Sequence, residues 1–110
     1  MVDLDPDKMH EYLDKLFVLN NVTRTNIIAV VRKNKEPISI TYIHKQLNKH
    51  NYKIAYKNVS ENIKILEREK IIKLEEKKDT IGRHKLVSMT EEGERIIITV
   101  LNLKKSLGVS

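Results

Sequence analysis

Lys57, Glu61, Lys64 and Arg68 recur every three or four residues, which at 100° per residue puts them on one side of a helix, with Asn58 and Ser60 flanking them. These are side chains suited to a duplex major groove. Lysine and serine meet phosphates, asparagine bridges adenine, and glutamate accepts from the cytosine amino group. Val59, Ile63 and Leu66, spaced i, i+4 and i+7, form the opposite, inward-packing face. The stretch from Lys53 to Ile72 therefore reads as an amphipathic helix running into a strand. A solvated face of an ordinary helix fits the same spacing, so this pattern alone leaves both readings open.

Other chemistry has little to stand on. His10, His44, His50 and His84 are scattered, without an i, i+4 ligand pair or a carboxylate cluster, so no metal site is expected. Asp3, Asp5 and Asp7 alternate but lack the glycine and distal glutamate of a calcium loop. There is no cysteine, which excludes thiol catalysis, Cys-based zinc sites and a disulfide framework. Neither a glycine-rich phosphate loop nor a nucleophile–base signature occurs. The chain is read as having no catalytic residues and no cofactor, and the residues leave a small-molecule effector open.

Charge narrows the partners. The net charge is +6 over 110 residues, unevenly spread: residues 1–20 hold two lysines against five acids, 21–90 sixteen basic residues against seven acids, and 91–110 three against three. The middle, at +9, is drawn to a polyanion, with binding that weakens steeply in salt. Basic amphipathic helices with bulky aromatics are missing, so an anionic membrane is the poorer match. The N-terminal stretch lacks the apolar core of a signal peptide and no apolar run reaches membrane-spanning length, so a cytoplasmic protein is expected.

The elements that must position these residues follow in order. Asp5 as cap and Pro6 at the first helical position start a helix, with Met9, Tyr12, Leu13, Leu16 and Phe17 on one face, ending near Asn20-Asn21. Thr23 is expected to cap a second helix carrying Ile27, Ile28, Val30 and Val31, stopped at Glu36-Pro37. Ile38 to Ile40 alternates like a short strand. Thr41 is expected to cap a third helix with Ile43 and Leu47 inward, and a turn at His50-Asn51, with Asn51 left-handed, leads to the helix of the opening. Ile72 and Leu74 begin a strand, Glu76 to Gly82 reads as a turn, and Lys85 to Met89 alternates again, giving a hairpin. Thr90 caps a last helix that stops at Gly108.

Helix, helix, short strand, helix, helix, hairpin, helix is the winged-helix order, and three stretches resemble winged-helix regulators of the MarR/PadR/ArsR type. VSENIKILEREKII is similar to their recognition helix and its exit, GRHKLVSMTEEGERI to the return strand of the wing and the start of the next helix, and ISITYIHKQLN to the small strand and first helix of the helix-turn-helix. The resemblance covers about residues 23–98. This chain departs from the pattern at Lys70, where glycine is usual and a left-handed conformation would carry a cost, at Ile81, which replaces an acid in the wing, and at Met89 in place of leucine.

The resemblance implies an α+β, mostly helical fold: a winged helix-turn-helix with an added N-terminal helix and a long C-terminal dimerisation helix. The chain is read as one domain, 1–110, comprising the N-terminal helix (5–20), the helix-turn-helix core and wing (23–89) and the C-terminal helix (90–108). It implies a homodimeric repressor that binds specific double-stranded DNA. The recognition helix, 55–68, would enter the major groove through Lys57, Asn58, Ser60, Glu61 and Lys64. Lys53 and Tyr56 would stand at the backbone, although Tyr56 lies near enough to the core face for its ring to pack instead. The wing, 75–85, would bring Lys77, Lys78 and Arg83 to the minor groove, where arginine is favoured in narrow A·T tracts. Ile96, Val100, Leu103 and Leu107 form a stripe on the last helix that Ile97 and Leu101 widen beyond what one neighbour covers. With Leu13, Leu16 and Phe17 they point to a dimer interface through Ile97, Val100, Leu101 and Leu103; in the alternative, the two terminal helices of a monomer cover each other. A non-specific chromatin-type protein and a winged helix used for protein interaction are the competing functions, the latter disfavoured by the lysine-rich middle.

Overall fold

Among the described residues of the computed structural model, 6–50, 53–80, 82–106 and 108, the elements run α1 (Pro6–Leu19), α2 (Val22–Lys33), β1 (Ile38–Ser39), α3 (Ile40–Lys49), α4 (Tyr56–Arg68), β2 (Ile72–Asp79), β3 (Gly82–Met89) and α5 (Glu91–Ser106). This is the winged helix-turn-helix expected from the residues. Asp3, Asp5, Asn51, Ile81 and Leu107, and the side chains of Met9 and Tyr12, lie outside what is described.

The core is where α2, α3 and α4 converge on the sheet. Ile27, Ile43, Val59, Ile63, Leu66, Ile71 and Val87 are fully buried, and each large aliphatic side chain so placed contributes about 1.5–3 kcal/mol over an exposed one. The sheet order is β1-β3-β2, all antiparallel, with Ile38 opposite Val87 and Leu74 opposite Val87 on its other flank. The three apolar positions of α4 sit inward as their spacing requires, which turns Lys57, Glu61 and Lys64 outward.

Two caps differ from expectation. Asn21, not Thr23, caps α2: its backbone is extended and its side chain accepts from Arg24 N at 3.0 Å. Ser39, not Thr41, caps α3, accepting from Tyr42 N at 3.1 Å. Ile40 therefore belongs to the helix and is buried there, instead of closing the strand. Each cap lies two residues earlier than expected, and asparagine and serine cap more strongly than threonine; at α3 the earlier start also brings buried Ile40 into the helix, whereas at α2 the added Val22 stays exposed.

The hairpin also differs. The segment read as a turn from Glu76 onward is ladder: Glu76 pairs with Lys85, Lys77 with His84, Lys78 with Arg83 and Asp79 with Gly82. Beyond Leu74 the hairpin leaves the core, so both its faces meet solvent and the apolar alternation that reveals a strand is lost.

Lys70 has φ 61°, the left-handed conformation anticipated where glycine is usual. Lys70 N donates to Glu67 O at 2.9 Å and Ile71 N to Leu66 O at 3.0 Å, a Schellman ending that brings buried Ile71 against Leu66. Thr90 locks this exit to α5. Its hydroxyl donates to Lys70 O at 2.6 Å and accepts from Gly93 N at 2.8 Å. A Cβ at Gly93 would stand 2.0 Å from Ile71 O, so no other residue allows α5 to start this close to the exit turn.

Candidate nucleic-acid interface

The candidate surface starts at the N-terminus of α4. The turn before it is held by two polar side chains of α3 that the sequence reading did not single out. Asn48 Oδ1 accepts from Ile54 N at 3.1 Å, and His44 Nε2 bonds Ile54 O at 2.8 Å. Their signal was an i, i+4 polar pair flanking Leu47, on the edge of α3 that faces the turn. Tyr56 packs edge-to-face on His44 with ring centroids 5.6 Å apart, yet remains 47% exposed. Its ring thus packs on a side chain of α3 while its rim stays open to solvent.

Ala55 caps α4 without a side-chain hydrogen bond, and the first turn has no acidic residue. Ala55 thus leaves the first N–H groups of the helix without a side-chain acceptor from the cap position, an arrangement that favours a phosphate oxygen. Lys53, Lys57, Asn58, Glu61 and Lys64 are exposed around that end and down the outer face, and Ser60 is half-buried. Lys57 lies 4.0 Å from Glu61, a loose pair between exposed side chains that leaves the ammonium free to rearrange.

The wing projects Lys77, Lys78 and Arg83, all exposed. Its tip is shaped by Asp79, whose carboxylate accepts from Gly82 N at 3.2 Å and lies 3.1 Å from His84 Nε2. Lys78 and Arg83 are cross-strand partners, a like-charge juxtaposition that costs stability; Glu76, 3.7 Å from Arg83, offsets part of it. Helix α4 and the wing are thus separate charged elements that follow one another in the chain.

The terminal helices carry the expected apolar surface. Leu13, Leu16, Phe17, Leu101 and Leu103 are exposed, Phe17 by 77%, and Val100 is half-buried. Ile97 instead packs on the core of its own domain. Helices α1 and α5 meet through Lys15, buried to 6% exposure, whose ammonium donates to Glu92 Oε1 at 2.6 Å. That hydrogen bond holds the Glu92 carboxyl below its usual pKa, against the opposing effect of partial burial.

No helix of the described residues is long and apolar enough to cross a membrane.

Residues 25–97 match the family model described as the ribonuclease R winged-helix domain. A search of curated proteins finds no match. Among solved structures, the chain is similar to the reduced form of the transcriptional regulator YodB from B. subtilis, with 19% identity and a TM-score of 0.71 over 94% of this chain and 90% of that one. It is similar to a PadR family transcription regulator from hypervirulent Clostridium difficile, with 17% identity and a TM-score of 0.66 over 80% of this chain and 92% of that one. A transcriptional regulator homologue from Pyrococcus horikoshii shares 21% identity and a TM-score of 0.59 over 88% of this chain and 97% of that one. At these identities the likeness is one of fold.

Proposed function

We propose, starting from the fact that the chain belongs to the ribonuclease R winged-helix domain family, that it is a DNA-binding transcription regulator and not an enzyme. In this reading it is a homodimeric, sequence-specific repressor that acts by occupying promoter DNA. The observation that carries the reading is the acid-free start of α4, where Ala55 offers no capping side chain and Lys53, Lys57 and Asn58 are exposed, with Lys64 two turns further along the same outer face. A phosphate at the helix end fixes the docking, and Asn58, Ser60 and Glu61 reach base edges. Arg83 and the wing lysines then follow the backbone into the minor groove. The neighbours described as transcription regulators support the same reading.

The family's description mentions a ribonuclease, so RNA is the natural rival. An A-form RNA duplex has a major groove too deep and narrow for a helix, whereas that of B-DNA admits one. Docking through α4 therefore favours a DNA duplex over an RNA duplex.

The test is fluorescence anisotropy with random duplex DNA, the upstream region of the gene and an RNA duplex, at 50 and 200 mM salt. Tighter binding to the upstream DNA is expected, with affinity falling on the order of a thousandfold between the two salts if six phosphates are neutralised. Equal binding to both DNAs would replace the repressor with a chromatin-type protein. Binding to the RNA duplex alone would favour the RNA reading, and binding to none of the three would favour a protein-interaction module.

A further inference from the structure

We infer that Arg24 and Asn62 set which end of the Asn58 amide faces DNA, and so make Asn58 a hydrogen-bond donor to bases instead of an adenine bridge. The inference rests on the proposed docking of α4 in the major groove. It concerns two residues behind the recognition face, neither of which reaches the duplex.

An asparagine amide has a donor end and an acceptor end, and the bonding around it decides which way it turns. Arg24, near the start of α2, is anchored first. Its N–H donates to Asn21 Oδ1 at 3.0 Å, and its guanidinium Nε donates to the carbonyl of Val18 in the last turns of α1. Its Nη1 donates to Asn62 Oδ1 at 3.0 Å. A guanidinium has no acceptor, so Asn62 must turn its oxygen toward Arg24 and its nitrogen away.

That nitrogen meets Asn58 one turn earlier on α4. Asn62 Nδ2 donates to Asn58 O at 2.9 Å and to Asn58 Oδ1 at 2.6 Å. Reversing Asn58 would set two amide nitrogens against each other at that distance, donor against donor. The Asn58 oxygen is therefore drawn back toward Asn62, and its Nδ2 is left to the exposed side of the helix. One arginine thus orients two amides in series.

The consequence is chemical. An outward amide nitrogen matches the O6 and N7 of guanine, the O4 of thymine or the N7 of adenine, and it repels the amino group of cytosine, which offers no acceptor in the major groove. Guanine gives it two adjacent acceptors, whereas the N7 of adenine stands beside a competing amino group, and the full adenine bridge needs the Asn58 oxygen at the base edge, turned away from Asn62. Asn58 should therefore prefer guanine or thymine over adenine and reject cytosine on the strand it reads.

Selection of bound sequences from a random duplex library, followed by sequencing, tests this with the wild type and the variants Asn58→Ala, Asn62→Asp and Asn62→Ala. Asn58→Ala identifies its base position as the one where preference vanishes. Wild type should show guanine or thymine there. Asn62→Asp keeps an acceptor for Arg24 but offers no donor, and Asn62→Ala offers neither. Both should relax preference at that same position by about fivefold, the scale of one hydrogen bond, and leave the other positions unchanged. The added charge of Asn62→Asp lowers affinity evenly across sequences, which a position-specific readout separates. Thermal melts identify any variant that fails to fold, and the remaining Asn62 variant then decides.

Adenine or cytosine at the Asn58 position in wild type would overturn the inference, as would an unchanged preference in a folded Asn62 variant. So would DNA binding without any selected sequence, although DNA binding itself would then stand. Failure of the wild type to bind DNA would instead overturn the DNA-binding reading from which the inference starts.

Discussion

Single side chains on α4 divide by what they can do once docked. Lys64 is exposed on the outer face, two turns from the helix start, where a cation meets a phosphate more readily than a base edge. Lys64→Ala is expected to weaken binding about equally on all sequences and to reduce the slope of log affinity against log salt by about 1, read from titrations at several salt concentrations. A change confined to one base position would show instead that Lys64 reads sequence. The outward set was legible in the sequence because Val59, Ile63 and Leu66 fix the inward face. The roles of Arg24, Asn62, His44 and Asn48 were not legible. Each gains its meaning from a partner on another segment of the chain, Arg24 from Val18, Asn62 from Arg24, and His44 and Asn48 from Ile54, and the spacing within one element does not name such a partner.

Elements were easier to place than their ends. The helices announced themselves by apolar spacing, and even the strained Lys70 followed from its position in the exit turn. The caps went to Asn21 and Ser39 because these cap more strongly than threonine, with burial of Ile40 adding to the choice at α3, and the outer half of the wing had no core to imprint alternation on it. The contact of α1 with α5 depends on pH. The bond from Lys15 lowers the Glu92 pKa, so the ionised carboxylate stabilises the fold above the ordinary glutamate range, and this contribution is lost as pH falls through the lowered folded value. Glu92→Gln should therefore be less stable than wild type at pH 7 by about 1 kcal/mol, a charge-assisted bond discounted because the Glu92 side chain is 41% exposed. Urea unfolding at pH 7, 5 and 3 should show the gap closing as the medium becomes acidic. A gap independent of pH would mean that the carboxylate charge is not what Lys15 requires.

At the scale of the whole molecule, the shape carries the argument for a second copy. A compact chain of this length has a radius of gyration of about 13 Å, whereas this one has 15.3 Å and a long axis of 53 Å against 29 and 23 Å. Part of the chain stands away from the core, and that part includes apolar surface: residues 101–106 of α5 are all exposed, Leu101 and Leu103 at about half, and Phe17 on α1 at 77%. A monomer whose terminal helices merely covered each other would hide these side chains. Their exposure instead suits a twofold interface in which each copy buries the other's helices, with Leu13, Leu16 and Val100 at its margins. Phe17→Asp and Leu103→Glu each place a charge in that interface without touching the core. Both should shift sedimentation from dimer to monomer while leaving the circular dichroism spectrum intact. Because a dimer spaces two recognition helices about one helical turn, roughly 34 Å, apart on DNA, the same variants should lose the tight binding to a two-half-site duplex but retain the weaker binding to a single half-site. A wild type that sediments as a monomer at micromolar concentration would remove the twofold arrangement, and the exposed stripe would then need a different partner.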